Sequence, residues 1–551
     1  MKRNSKFKEI EPDEIFLDAE NAPDFNTNQL EGRITKPINK KTIFSVGLVC
    51  LLIGLTFIGR LGFVQIAKGQ TFFDLSERNR LQKIPIISPR GIVYDRNGVE
   101  LAWNREEEDK IIRSYIDLSG FAHLLGFVGY PTKDKAGFYW QDNFIGKSGI
   151  EKQYNDTLAG QNGMKITETD VFGNIKSENI LAEVLPGDNV YLSLDARLQN
   201  KLFESIRDTA GGYFTGGAGV LIDVTDGSVL SLVSFPEFDS EVLSLGQDTE
   251  AILRFNSDKR KIFLNRPVSG LYTPGSTVKP FFATAALKEN IITPDKKILS
   301  TGSISVPNPY NPNQASVFKD WKAHGFVNLA QAIAVSSNVY FYEIGGGFEG
   351  QPGLGISRLE KYARLFGLGE KTNIDLEGET LGTIPNPTWK KEHFNGEIWR
   401  VGDTYYTAIG QYGFQVTPLQ LARAIAAVAN NGRLLTPHLI KDKTKEEILL
   451  PIEDDIFQEV KNGMRMTVVS GTATSLNFGK AKFAAKTGTA QLGVLKERMN
   501  SWIIGFAPYE NPKFAFVILL ENGPENIGIS AQMAAYKFFS WMVENTPEYF
   551  Q

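Results

Sequence analysis

A serine and a lysine three residues apart, Ser276 and Lys279, follow the turn signal Pro274-Gly275. They open a stretch with apolar residues at Val278, Phe281, Phe282, Ala285 and Ala286. That pattern predicts a helix from Ser276 to about Asn290, with both polar side chains on one face of its first turn. A serine at a helix start lies where unbonded backbone N–H groups point outward and stabilise developing negative charge. A lysine one turn on can take the serine's proton once it is neutral. Its pKa must then fall from about 10.4, through burial or a neighbouring cation. The chemistry of such a pair is attack on a carbonyl carbon, with an acyl-serine as intermediate.

Alone, Ser-x-x-Lys is a weak signal, since a capping serine beside a solvated lysine gives the same pattern. It occurs three times, at Ser5/Lys8, Ser276/Lys279 and Ser316/Lys319. Two further elements are needed: a Ser-x-Asn group, and a Lys-Ser/Thr-Gly strand that brings backbone and charge to the substrate. Ser-x-Asn occurs at Ser177/Asn179, Ser336/Asn338 and Ser475/Asn477, and Lys-Ser/Thr-Gly at Lys147-Ser148-Gly149 and Lys486-Thr487-Gly488. Ser177 and Lys147 precede the nucleophile, and Ser475 lies only eleven residues before Lys486. Ser276, Ser336 and Lys486 keep one order with spacings of 60 and 150 residues, room for each to occupy its own element around a cleft.

In that arrangement Ser276 is the nucleophile and Lys279 its general base. The Ser276 and Thr489 N–H groups stabilise the oxyanion, and Gly488 lets backbone approach closely. Ser336 relays the proton, and Asn338 hydrogen-bonds substrate and Lys279. Lys486 offers charge to a substrate carboxylate and depresses Lys279, while Thr487 to Thr489 form an edge on which an extended peptide adds as a strand.

The elements that must hold these residues are legible in part. Asn328 caps a helix over Leu329–Val335 that delivers Ser336-Ser337-Asn338 to its end. Thr417-Pro418 starts a helix running to Asn430. Lys482–Gln491, Asn500–Ala507 and Phe514–Leu520 read as strands, and Ile529–Val543 as a closing helix. Upstream, Asp195–Asp208 reads as an amphipathic helix, and Gly219–Asp223 and Val229–Val233 as paired strands. The expectation is a multidomain α/β chain, with helices packed on an antiparallel sheet.

The chain has 551 residues and a net charge of −4, with no basic footprint for nucleic acid. Its one cysteine, Cys50, lies in an apolar run and forms no intrachain disulfide. Its four histidines lack metal-ligand spacing, so no metal or cofactor is expected. Residues 1–41 balance eight acidic against eight basic residues, carry three prolines, and read as a disordered tail. Residues 42–66 are long and apolar enough to span a bilayer. Arg33, Lys36, Lys40 and Lys41 precede that run, which predicts a cytoplasmic N-terminus, a single-pass plasma-membrane anchor and an exocytoplasmic catalytic part. Residues 67–185 then read as a β-rich pedestal, with Arg105–Lys110 as a charged loop, and residues 186–551 as the catalytic domain.

The ordered motifs, together with Pro89-Arg90-Gly91-Ile92-Val93-Tyr94-Asp95-Arg96-Asn97-Gly98, Gly146-Lys147-Ser148-Gly149-Ile150-Glu151, Asn265-Arg266 and Thr417-Pro418-Leu419-Gln420, resemble the class B penicillin-binding proteins over residues 42–550. Trp399-Arg400-Val401-Gly402-Asp403-Thr404 and Ile409-Gly410-Gln411 are more similar to the elongation type than to the division type. The resemblance implies a penicillin-binding, β-lactamase-like transpeptidase fold and a D,D-transpeptidase that cross-links peptidoglycan stem peptides. It also implies acylation of Ser276 by β-lactams, and work with a glycosyltransferase of the shape-elongation-division family. The chain departs from the family pattern where a head subdomain is usually inserted, since only about ten residues follow the Asp95–Ala102 region there. A D,D-carboxypeptidase, a β-lactam sensor and a non-catalytic scaffold for a glycosyltransferase remain the alternatives.

Overall fold

The computed structural model describes residues 39–107, 110–135, 139–169, 175–308, 311–493, 497–525 and 527–551. The expected disordered tail lies almost wholly outside them. Two compact units emerge, Met1–Lys83 with Ile166–Asn179, and Ile84–Lys165 with Ile180–Gln551.

In the first unit, α1 (Lys40–Gly62) continues through a π-turn at Phe63–Ala67, 28 residues in all, long and apolar enough to cross a membrane. At 1.5 Å per residue it measures about 42 Å, against a hydrocarbon core of about 30 Å. Its Ser45 and Thr56 hydroxyls donate to Lys41 O and Leu52 O, both at 2.8 Å, so neither is left bare in an apolar medium.

The second unit begins with a four-stranded sheet, ordered Val190–Tyr191, Val93–Tyr94, Glu100–Glu107, Lys110–Tyr115. Asp95 organises the joint that follows it. Its Oδ1 accepts from the N–H groups of Asn97 and Val99, closing the Asn97-Gly98 turn, and its Oδ2 accepts from Ala196 N at the start of the next helix. The charged stretch expected as a loop is instead a hairpin tip, with Glu107 paired to Lys110. The register sets opposite charges across the pair at Glu107 and Lys110, and Arg105 meets Glu107 and Glu241 at 2.9 and 3.5 Å.

The catalytic part is a five-stranded antiparallel sheet between helical layers. Its order is β2 (Val229–Phe235), β1 (Gly216–Asp223), β5 (Phe514–Pro524), β4 (Arg498–Ala507), β3 (Ala484–Leu492). The central run Phe514–Leu520 is buried on both faces, hence apolar at every position. One face packs against α2 (Ala196–Ala210), capped by Asp195, and against α8 (Ala531–Asn545), with Leu202, Ile206, Phe538 and Phe539 in its core. The other packs against α6 (Pro418–Ala429), all twelve of whose residues are buried. A capping box between Thr417 and Gln420 starts that helix. Around it lie α3 (Lys279–Lys288), α4 (Leu329–Ala334), α5 (Asn338–Gly346) and α7 (Asp454–Ser470). Ser303–Asn308 and Asn311–Lys319 form a hairpin that the proline- and asparagine-rich sequence there did not announce.

Candidate active site

The helix expected from Ser276 is split. Gly275–Val278 forms a 3₁₀ turn, and α3 proper starts at Lys279. In a 3₁₀ turn residues three apart eclipse, so Ser276 and Lys279 still share one face. The turn is held from three sides. Tyr272 pairs with Val416, Gly275 N donates to Gly410 O at 2.9 Å, and Trp502 Nε1 donates to Thr273 O at 3.0 Å. Gly410 sits at φ 72°, and a Cβ there would come within 2.2 Å of Gly275 O, so only glycine closes this contact. Ser276 is half-buried and lines a cleft of about 1130 Å³.

Ser336 arrives from α4, which a capping box between Asn328 and Gln331 starts, as its sequence predicted. The chain then turns sharply at Ser336, whose φ of 57° is the left-handed region that a serine seldom adopts. That turn brings the Ser336 carbonyl to Lys279, whose Nζ donates to it and to Asn338 Oδ1, both at 2.8 Å. Ser336 Oγ lies 3.3 Å from Lys279 Nζ and 2.8 Å from Lys486 Nζ, so one hydroxyl bridges two amines.

Lys486, Thr487, Gly488 and Thr489 lie on β3, the sheet edge. Lys486 Nζ also donates to Thr487 O at 2.7 Å, and Thr487 Oγ1 lies 2.6 Å from Thr472 Oγ1. Gly488 lets β3 press against the nucleophile turn, since a Cβ there would lie 2.6 Å from Thr277 Cγ2. Thr489 is exposed at the cleft, with its backbone free of any strand on the outer side among the described residues.

Both lysines are fully buried. Burial pushes Lys279 down to about 7, against a smaller upward pull from Asp320. Burial, and next the proximity of Lys279, hold Lys486 well below its ordinary value. The sequence expectation was a depressed Lys279 beside a charged Lys486. Desolvation works against charge on either amine.

Of the other motif matches, Lys319 alone among the described residues lines the cleft. Ser316 and Lys319 are exposed on a strand, where a spacing of three puts them on opposite faces. Ser177 and Asn179 are exposed on Ile175–Ala182, and Lys147-Ser148-Gly149 leads into the short helix Gly149–Gln153. Ser475 accepts from Gln532 behind the sheet. Ser5 and Lys8 lie outside the described residues. Sequence reasoning missed Thr472, the carboxylate of Asp320, and the cleft's aromatic side of Trp321, Tyr406 and Tyr412. No local pattern marks these, because they reach the site from separate segments, Asp320 and Trp321 from one, Tyr406 from the helix Val401–Ala408, and Tyr412 and Thr472 from two others.

Residues 217–539 match the penicillin binding protein transpeptidase domain, and residues 106–192 the penicillin-binding protein dimerisation domain. The chain is 32% identical to the peptidoglycan D,D-transpeptidase MrdA of Haemophilus influenzae, covering 79% of this chain and 70% of that one. It is 29% identical to the Acinetobacter baumannii MrdA, over 91% and 87% of the two chains. Among solved structures, Pseudomonas aeruginosa PBP2 in complex with WCK 5153 superposes with a TM-score of 0.69 at 31% identity, covering 84% of this chain and 97% of that one. PBP2 of Helicobacter pylori, in a complex with MreC, gives 0.70 at 28% identity, over 85% and 100%. With the ordered motifs converging on one cleft and the domain match spanning more than half its length, the chain belongs to the penicillin-binding protein transpeptidase family.

Proposed function

We propose that this protein is a peptidoglycan D,D-transpeptidase acting through an acyl-enzyme on Ser276. The observation that carries the residue roles is the hydrogen bonding of the buried Lys279 amine. A neutral amine has two hydrogens and one lone pair. The two 2.8 Å bonds to Ser336 O and Asn338 Oδ1 use both hydrogens, and the lone pair is left to accept a proton.

Ser276 Oγ attacks the carbonyl carbon preceding the terminal D-alanine of a stem peptide, and its proton passes to Lys279. The N–H groups of Ser276 and Thr489 stabilise the oxyanion. As the C–N bond breaks, Lys279 passes the proton on through Ser336, whose hydroxyl bonds both lysines, to the departing D-alanine amine, so that Ser336 keeps its own complement. An amine of a second stem peptide then attacks the acyl carbon, forming the cross-link and releasing Ser276. The donor peptide lies along β3. Its carboxylate supplies the counter-charge that makes a protonated Lys486 tolerable despite burial. A β-lactam opens on Ser276 by the same attack.

Mass spectrometry after penicillin treatment tests this directly. The adduct is expected on the peptide containing Ser276 and is lost in Ser276→Ala; an adduct on another serine overturns the assignment.

We also propose that residues 67–185 serve as pedestal and 186–551 as transpeptidase domain, with α1 as a single-pass anchor and the N-terminus cytoplasmic. Protease added outside intact cells is expected to digest the catalytic part and spare the first 41 residues; the reverse pattern refutes the orientation. The elongation-type relatives favour a glycosyltransferase of the shape-elongation-division family as partner. With only a hairpin tip where a head would stand, that partner is expected to engage α1. Gly54 and Phe57 substitutions should then weaken co-purification in detergent without changing penicillin labelling.

A further inference from the structure

Behind the Ser336–Asn338 turn lies a buried carboxylate that the acyl-transfer steps do not use. Asp320 has no exposed side-chain surface. Its Oδ2 accepts from Ser337 Oγ at 2.8 Å, Val339 N at 3.0 Å and Ser300 Oγ at 3.3 Å, and its Oδ1 accepts from Trp321 N at 2.9 Å. Ser337 caps α5, accepting from Tyr340 N at 3.3 Å. One carboxylate thus gathers donors from the residue between the two motif positions, from the first turn of the helix that Asn338 opens, and from a separate strand. Its own backbone N–H is tied to Gly302 O at 2.8 Å.

We propose that Asp320 is a positioning residue for acyl transfer. Its carboxylate, through Ser337 and the Val339 N–H, holds the turn that presents Ser336 O and Asn338 Oδ1 to Lys279. The physical need is plain. Ser336 occupies the left-handed region, a conformation that relaxes unless its neighbours fix it. Residues 337 and 339 are those neighbours, and Asp320 holds both. The 3₁₀ turn on the nucleophile side has an anchor on each flank, at Gly410 and Trp502, and Asp320 is the equivalent anchor for the second motif.

Its charge has a second consequence. The groups facing Lys279 are Lys486 from β3, Asp320, and His324 from the same segment as Asp320. Burial lowers His324 from its ordinary value against a smaller upward pull from Asp320, and its Nε2 stands 3.8 Å from Asp320, beyond hydrogen-bond reach. Asp320 is therefore the negative group that keeps Lys279 from falling further. Neutralising it lowers Lys279, and the acid limb of acylation moves to lower pH.

The inference rests on Lys279 acting as base, and the second-order rate of penicillin acylation against pH tests it. Asp320→Asn keeps the volume and some hydrogen bonds but removes the charge. It is expected to acylate more slowly, with its acid limb displaced to lower pH. Ser337→Ala leaves the charge in place and is expected to lose rate with the limb unmoved. Asp320→Ala, losing both, is expected to fall about 100-fold, the order expected when a catalytic group is displaced by about 1 Å. Rates are taken per folded molecule, with thermal unfolding followed alongside. An Asp320→Asn enzyme with unaltered rate and limb overturns the proposal, as does a loss in all three that merely tracks unfolding. Failure of the acyl-enzyme reading itself shows separately, as labelling that survives Ser276→Ala.

Discussion

Two clusters of buried cations lie in the same unit and meet opposite fates. Beneath the pedestal sheet, Arg90 and Arg113 share the carboxylate of Glu151, at 2.5 and 2.7 Å, with no exposed surface on any of the three side chains. Arg90 also donates to Glu151 O, and Asn104 ties the two arginines by accepting from Arg113 and donating to Arg90 O. At the active site Lys279 and Lys486 are equally buried, yet each donates only to carbonyls, a hydroxyl or an amide. Arginine does not lose its proton in a protein, so burying two of them demands a carboxylate in contact. Lysine can, and burial without a contacting carboxylate turns it into a base. The two arginines, with their counter-ion in contact, hold the sheet in place; the two cleft lysines, with none in contact, are left to the chemistry proposed for them.

The largest test of that contrast exchanges the two cation types. Lys279→Arg keeps charge and length but cannot become neutral, and should cut the penicillin acylation rate by about 10³-fold or more, within the range of general-base catalysis. Lys486→Arg, where charge is the proposed contribution, should cost roughly tenfold, within that of a charged hydrogen bond. Equal losses at the two positions, or a milder one at Lys279, would contradict the assigned roles.

Next comes the arginine cluster. Glu151→Gln leaves two buried guanidiniums without their anion and should destabilise the fold by about 3–5 kcal/mol in chemical denaturation. The acylation rate per folded molecule should stay at the wild-type value; a matching loss of rate would mean that the two clusters are coupled.

A smaller effect separates them by pH. Acylation requires neutral Lys279, so it should rise with pH through a limb near 7. Stability should follow the same sign. The unfolded chain keeps a proton on this lysine up to about 10.4, whereas the folded chain releases it near 7, so between those values the unfolded state binds more protons. Raising the pH through that window therefore stabilises the fold, by at most about 1.4 kcal/mol per pH unit for one such group. Lys279→Met should flatten the slope.

The smallest effect belongs to an exposed pair. Lys152 and Glu377 meet at 2.6 Å on the surface, and Glu377→Gln should shift stability by less than about 1 kcal/mol. A larger loss would show that proximity, not burial, decides what an ion pair contributes here.

Much of this was legible beforehand. The capped helices α4 and α6 carry their start signals locally, in Asn328/Gln331 and Thr417/Gln420, and a capping box closes within one turn whatever surrounds it. The central strand shows as an apolar run because both its faces are covered. The order of the proposed catalytic residues was legible in the same way, because Ser276, Lys279, Ser336, Asn338 and Lys486 are the types that the proposed chemistry calls for.

What only the tertiary structure decided is how those residues meet. The 3₁₀ turn at Ser276, the left-handed Ser336, the hairpin over residues 303–319 and the anchoring carboxylate of Asp320 arise from contacts between distant segments, such as Gly275 with Gly410 and Asp320 with Val339. Local sequence sets local preference. How far burial lowers Lys279 depends on how much water the whole fold excludes, and that quantity belongs to no single stretch of chain.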